Sequence, residues 1–180
     1  SLIALHTMGY GPEHEAVKKG FEGFEVFALE GDDLCSVQAC ISPVWDTCIA
    51  QLALLESGIT PDDPMVQSSA RWLMDKQIFA GGDWQVRAKK TRPGGWSFEF
   101  DNLAYPDIDD ASIVVMALDK VKLPDNEEPS RAHSIQRGVE WVSGMQCKNG
   151  GWAAFDKDNN KKYLTKTPFS DFGEILDPPS

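Results

Sequence analysis

The sequence predicts an all-α fold, and three observations carry that expectation. Apolar residues recur at the three- and four-residue steps of a helix in successive stretches. No sustained two-residue alternation marks an extensive sheet. A Gln…Gly…Trp pattern also occurs twice, each time just after a helical stretch.

The elements follow in order. The chain opens inside an apolar helical pattern (Leu2, Ile3, Leu5, Met8), and a second stretch runs from Val17 through Leu29, with Val17, Phe21, Phe24 and Phe27 on one face. Helical periodicity returns from Val44 through Leu55 and from Val66 through Ile78, with Pro61 and Pro64 between them. It recurs from Ala111 through Val121 and from Ile135 through Met145, separated by Pro124 and Pro129. Proline punctuates helices because it lacks the N–H that a helix interior needs.

In the repeat, one copy reads Trp72-Leu73, Gln77 and Gly82-Asp83-Trp84. The other reads Trp141-Val142, Gln146 and Gly150-Gly151-Trp152. Each is a helix ending near its Gln, then a glycine turn, then a Trp folding back. The amide is suited to backbone groups left open at a helix end, and the indole to packing over that end. Such a unit staples one helical hairpin to the next and cannot bury its face alone, so stacked or ring-closed copies are expected.

Composition removes several classes of function. The chain has 180 residues, with 17 Lys plus Arg against 28 Asp plus Glu, a net charge of −11. That balance argues against a nucleic-acid partner, since it offers little to neutralise phosphates. No run reaches the roughly 18 apolar residues of a membrane span. Cys35, Cys40, Cys48 and Cys147 form no C-x-x-C pair and the histidines are scattered, so no metal site is expected and reduced, buried thiols are. Both ends read as cut, which makes the chain an internal piece of a longer one by expectation.

The segment that could carry chemistry lies between the repeat copies. Asp107, Asp109 and Asp110 precede an apolar helix and follow the aromatics Trp96, Phe98, Phe100 and Tyr105. Read alone, the run Asp107-Ile108-Asp109-Asp110 is a helix cap. A cap needs one carboxylate, however, and this run has three. Converging in a partly buried pocket, they could not all ionise cheaply, and one would keep its proton near neutral pH. Aromatic faces nearby would stabilise a cation. That combination suits protonation of a substrate that becomes a carbocation. A glycosidase with Trp platforms is the alternative, although sequence-adjacent carboxylates fit poorly with a pair flanking a scissile bond. A non-catalytic helical repeat scaffold is another.

The acid run, taken with the Gln…Gly…Trp repeats, resembles the squalene–hopene cyclases of the class II triterpene cyclase family. The stretches Ser42–Thr47, Gly94–Asp110, Pro168–Glu174 and Asp177–Ser180 agree, so the resemblance covers essentially the whole chain. It implies an incomplete α/α barrel (toroid) of helical hairpins, with residues 1–40 ending a second α/α barrel domain and residues 41–180 forming part of the catalytic one. It also implies protonation of a terminal alkene of squalene and cyclisation to hopene or hopanol, with no cofactor and no metal. The apolar substrate squalene would be the partner. The protein would be peripheral on the cytoplasmic face of a membrane, docked through parts outside this chain, with a homodimer left open.

Residue by residue, the resemblance makes Asp109 the proton donor, with Asp107 and Asp110 as flanking carboxylates. Trp45, Phe98 and Tyr105 would face the substrate. Phe155 stands where a Tyr is familiar, and Phe169 and Ser170 fall near a constriction, Ser170 replacing a familiar Cys. Oxidosqualene cyclases carry only one of these Asp residues. Class II diterpene cyclases share all three but lack this set of repeats, and they remain an alternative. The isolated chain is expected to be inactive and prone to aggregate, because an opened ring exposes apolar faces and cannot exclude water.

Overall fold

The computed structural model describes residues 2–25, 27–30, 35–37, 41–100 and 102–159. The chain divides into two compact units, Ser1–Ile41 and Ser42–Ser180.

In the first unit, α1 (Leu2–Thr7) and α2 (Glu15–Glu25) are followed by β1 (Ala28–Glu30) and β2 (Cys35–Val37). The strands pair antiparallel, Ala28 opposite Val37 and Glu30 opposite Cys35. The helical pattern predicted to run through Leu29 therefore stops at Glu25. Gly20 and Gly23 weaken the helix, and the residues after it take their backbone partners from β2 instead. At Gly20 a Cβ would come within 2.5 Å of the Leu2 side chain, so the missing side chain lets α1 close on α2.

The second unit is all-α. It comprises α3 (Pro43–Glu56), α4 (Pro64–Asp75), a 3-10 turn (Asp83–Val86), α5 (Ile108–Asp119) and α6 (Glu128–Gly144). Local chemistry sets the ends. Gly58, at φ +103, lets Ile59 N–H reach Leu54 O (3.1 Å) and Gly58 N–H reach Leu55 O (3.1 Å), closing α3 in a Schellman motif. Asp63 caps α4 by accepting from Met65 N–H (2.8 Å), with Pro64 in the first turn where its missing donor costs nothing. The sequence pattern placed the last helix from Ile135. It begins at Glu128 instead, because Pro129 is tolerated in the first turn and so opens the helix.

The helices form two hairpins, α3–α4 and α5–α6, with α5 packed against both α3 and α6. This is the hairpin stacking of an α/α toroid. Helix α5 is buried on more than one side, and Ala111, Val114, Ala117 and Leu118 are its core residues. Gln51 of α3 ties three helices together. Its amide donates to Ala117 O (2.8 Å) on α5, and its carbonyl accepts from Ser69 Oγ (2.6 Å) on α4.

The two Gln…Trp staples obey one geometry. Gln77 Nε2 donates to Gly94 O (2.8 Å), Ile78 N–H to Gly95 O (2.9 Å), and Trp96 Nε1 to Leu73 O (2.7 Å). In the second copy Gln146 Nε2 donates to Gly150 O (2.7 Å), Cys147 N–H to Gly151 O (2.9 Å), and Trp152 Nε1 to Val142 O (2.7 Å). The indole that answers Gln77 is thus Trp96, whereas the sequence pattern placed Trp84 there. Trp84 packs edge-on to Trp141 (centroids 5.8 Å apart), and its Nε1 has no partner among the described residues. The reason is backbone reach. Gly94-Gly95 can pass this close to α6, since a Cβ on Gly95 would meet the Trp141 ring at 2.8 Å and one on Gly94 would meet Arg137 O at 2.5 Å. Gln77 also bonds α6 directly, donating to Ser134 O (2.9 Å) and accepting from Ser134 Oγ (2.6 Å).

Candidate active site

Both staples deliver their chains to the N-terminus of α5. Asp107 N–H donates to Trp96 O (3.0 Å), and Ile108 N–H donates to Ala154 O (2.9 Å). The loop after Trp96 and the loop after Trp152 therefore meet where the acid run begins. Beside that meeting lies an open cavity of about 480 Å³ bordered by Trp45, Phe98, Glu99, Asn102, Asp107, Asp109, Asp110, Ala154 and Phe155.

The three carboxylates occupy different environments. Asp107 is the N-cap of α5 and accepts from Asp110 N–H (2.8 Å), so the capping role holds for this one residue. Asp110 is 1% exposed and its Oδ1 has no hydrogen-bond partner among the described residues. Burial pushes its carboxyl up to about 8, helped by its hydrogen bond with Asp107 and by the charges of Asp107 and Asp109. Burial also raises Asp107, against the opposing effect of the hydrogen bonds it accepts. Asp109 is the exposed member. It borders this cavity and a second of about 490 Å³ lined by Ile108, Ser112, Val142, Trp152, Ala153 and Ala154.

Of the aromatic residues singled out in the sequence, Trp45, Phe98 and Phe155 share the lining with the acids. Trp45 comes from the first turn of α3, Phe98 from the loop after Trp96, and Phe155 from the loop after Trp152. Tyr105 does not border this cavity. Its hydroxyl donates to Asp83 Oδ2 (2.6 Å), and that bond, followed by the Asp83 charge, raises its phenol. Phe169 and Ser170 lie outside the described residues.

Sequence reading missed Glu99 and Asn102 in the lining and Cys48 behind it. Cys48 is fully buried on α3, and burial, with the Asp110 charge, pushes its thiol up to about 12. The signal for Glu99 was its place beside Phe98. For Trp96 the signal was the Gly-Gly-Trp of 94–96, which matches 150–152 better than Gly-Asp-Trp does. Among the described residues no group of three or more His, Cys, Asp or Glu could hold a metal ion, and no helix is long and apolar enough to cross a membrane.

Stapled helical hairpins that bring three carboxylates and three aromatic rings to one cavity define an all-α repeat protein with an acid-bearing, aromatic-lined cavity. Residues 41–180 match the model of the squalene–hopene cyclase C-terminal domain, and the chain belongs to that family. It is 45% identical over its whole length to the squalene–hopene cyclase of Alicyclobacillus acidocaldarius, covering 28% of that protein. It is 46% identical over 99% of its length to the dammaradiene synthase of Dryopteris crassirhizoma, covering 26% of it. With the squalene–hopene cyclase of Zymomonas mobilis the identity is 39%, again over the whole chain and 28% of the relative. The chain thus spans about a quarter of the length of the curated relatives it matches.

Proposed function

We propose that this chain is the acid-bearing segment of a triterpene cyclase that protonates a terminal alkene of squalene and closes it into hopene or hopanol. The supporting observation is the shared lining of one cavity by Asp107, Asp109 and Asp110 with Trp45, Phe98 and Phe155. Residues 1–40 end one α/α barrel domain in this reading, and residues 41–180 belong to the catalytic one.

Asp109, the carboxyl that borders two cavities, donates the proton. Its O–H bond breaks as a C–H bond forms at the terminal alkene, leaving a tertiary cation. The buried neighbours tune this step. Asp110, held largely protonated by burial, keeps the cluster from accumulating full negative charge, and Asp107 is fixed by its cap bond. The faces of Trp45, Phe98 and Phe155 attract the developing positive charge, at roughly 0.5–2 kcal/mol each. Ring closures carry the charge away until proton loss gives hopene or water capture gives hopanol. Squalene reaches the protein from the cytoplasmic face of a membrane, through docking surfaces outside this segment.

The test is squalene turnover by the full-length protein carrying this segment, with products identified by mass spectrometry. Asp109→Asn, which keeps the shape and removes the acid, is expected to lower turnover by at least 10²–10⁴-fold, the usual contribution of a general acid, with thermal unfolding unchanged. Substantial residual turnover by the folded variant rejects the assigned donor.

A further inference from the structure

We propose that Glu99 is a second acid–base group of this cavity, the base that ends some cyclisations early by taking a proton from a partly cyclised cation. The inference rests on the reading of the cavity as a carbocation chamber.

Glu99 borders the cavity together with Trp45, Phe98 and Asp109, so it stands at the end where charge first forms. It directly follows Phe98, and its main chain is held on both sides. Ser97 Oγ donates to Glu99 O (3.0 Å), and Phe100 packs edge-on to Trp72 with centroids 6.3 Å apart. The side chain is half-buried.

The buried carboxylates of the cavity are engaged in ways Glu99 is not. Asp107 accepts the Asp110 N–H, and Asp110 favours its protonated form. Among the described residues no donor is bonded to the Glu99 carboxylate, so its oxygens are open to an incoming proton. Glu99 also borders a neighbouring, largely apolar cavity of about 350 Å³ whose polar members include Asp75, Lys76 and Ser97.

The step balances within the hydrocarbon. Asp109 gives its proton to the terminal alkene, and one or two rings close, leaving a cation on a tertiary carbon. A C–H bond beside that carbon then breaks. Its electron pair becomes a C=C bond, and its proton passes to a Glu99 oxygen. The product is an isomer of squalene with fewer rings. Asp109 is left ionised and Glu99 protonated, and exchange with water restores both. A charge that has migrated beyond this end of the cavity escapes Glu99 and continues to full cyclisation.

The experiment measures the share of partly cyclised alkenes in the total product formed from squalene by the full-length protein and its variants. The unaltered protein is expected to release a measurable share. Glu99→Gln keeps shape and polarity but loses basicity, so it is expected to lower that share about tenfold or more. Glu99→Asp keeps a carboxylate set further back and is expected to retain part of it. Should the amide variant fail to fold, Glu99→Met removes the base at similar volume and gives the same readout. An unchanged share in a folded, carboxylate-free variant overturns the proposal, as does the absence of partly cyclised alkenes from the unaltered protein. If the unaltered protein turns over squalene and Asp109→Asn does not, either of those results removes the Glu99 role alone. If the unaltered protein leaves squalene intact, the carbocation chamber and the Glu99 role fall together.

Discussion

The indole Nε1 of Trp96 donates to the backbone oxygen of Leu73 at 2.7 Å, the same bond that Trp152 makes to Val142. Leu73 lies in the last turn of α4, where its carbonyl keeps only a long bond from the capping Lys76 N–H (3.2 Å). Trp96, itself fully buried, adds the shorter bond. It then passes its own carbonyl to the Asp107 N–H, so the staple that closes α4 also seats the acid run.

Replacing Trp96 with Phe is expected to remove the shorter of the two bonds to the Leu73 carbonyl, at about 0.5–1.5 kcal/mol in addition to the lost volume. Trp84→Phe removes an indole of similar burial whose Nε1 has no partner among the described residues. The Trp96 variant is therefore expected to be the less stable of the two by about 0.5–1.5 kcal/mol. Chemical denaturation of both variants in the full-length protein measures the gap, and equal losses would show that the Leu73 bond contributes nothing.

Gln77 is buried, with bonds to Gly94 and Ser134, whereas Gln146 is exposed, with its side chain bonded, among the described residues, to Gly150 alone. Gln77→Leu removes three buried hydrogen bonds, so a loss of about 3 kcal/mol is expected. Gln146→Leu at the solvent-facing staple is expected to cost under about 1 kcal/mol. The two melting temperatures compare these directly, and a larger drop for Gln146→Leu would contradict the burial argument.

Stability should depend on pH through Asp110. Its carboxyl ionises near 8 in the folded chain against an ordinary 3.8. Between those values the folded state holds a proton that the unfolded state has lost, so stability falls as pH rises. The contribution is complete below about pH 4, declines through the window and levels off above about pH 8. Asp107, also raised, acts in the same direction. Melting temperatures measured from pH 4 to pH 9 should fall for the unaltered protein and fall less for Asp110→Asn. Parallel curves would show that Asp110 ionises normally.

Much of the second unit was legible in the sequence. The three- and four-residue steps marked α3, α4 and α5 because their faces meet a core, and burial enforces that period. The acid run and its neighbour Phe98 were legible as chemistry because residue type alone limits what they do. Trp45 and Phe155 followed from the resemblance. Other features were not legible for physical reasons. The end of α2 at Glu25 depended on a partner strand, and no local pattern records a partner. Tyr105 stands among the aromatics of the acid loop, yet the Asp83 carboxylate, distant in sequence, takes its hydroxyl.

By itself, the sequence determined the helical class, the repeated staples and which carboxylates and rings were available for chemistry, since these follow from period, composition and functional group. Only the tertiary structure decided that Trp96 takes the place beside Gln77, that Asp110 is the carboxylate driven to hold its proton, and that Glu99 joins the lining. Each of those outcomes depends on which atoms approach through space and which water is displaced. Those are properties of packed chains, and a linear order of residues does not contain them.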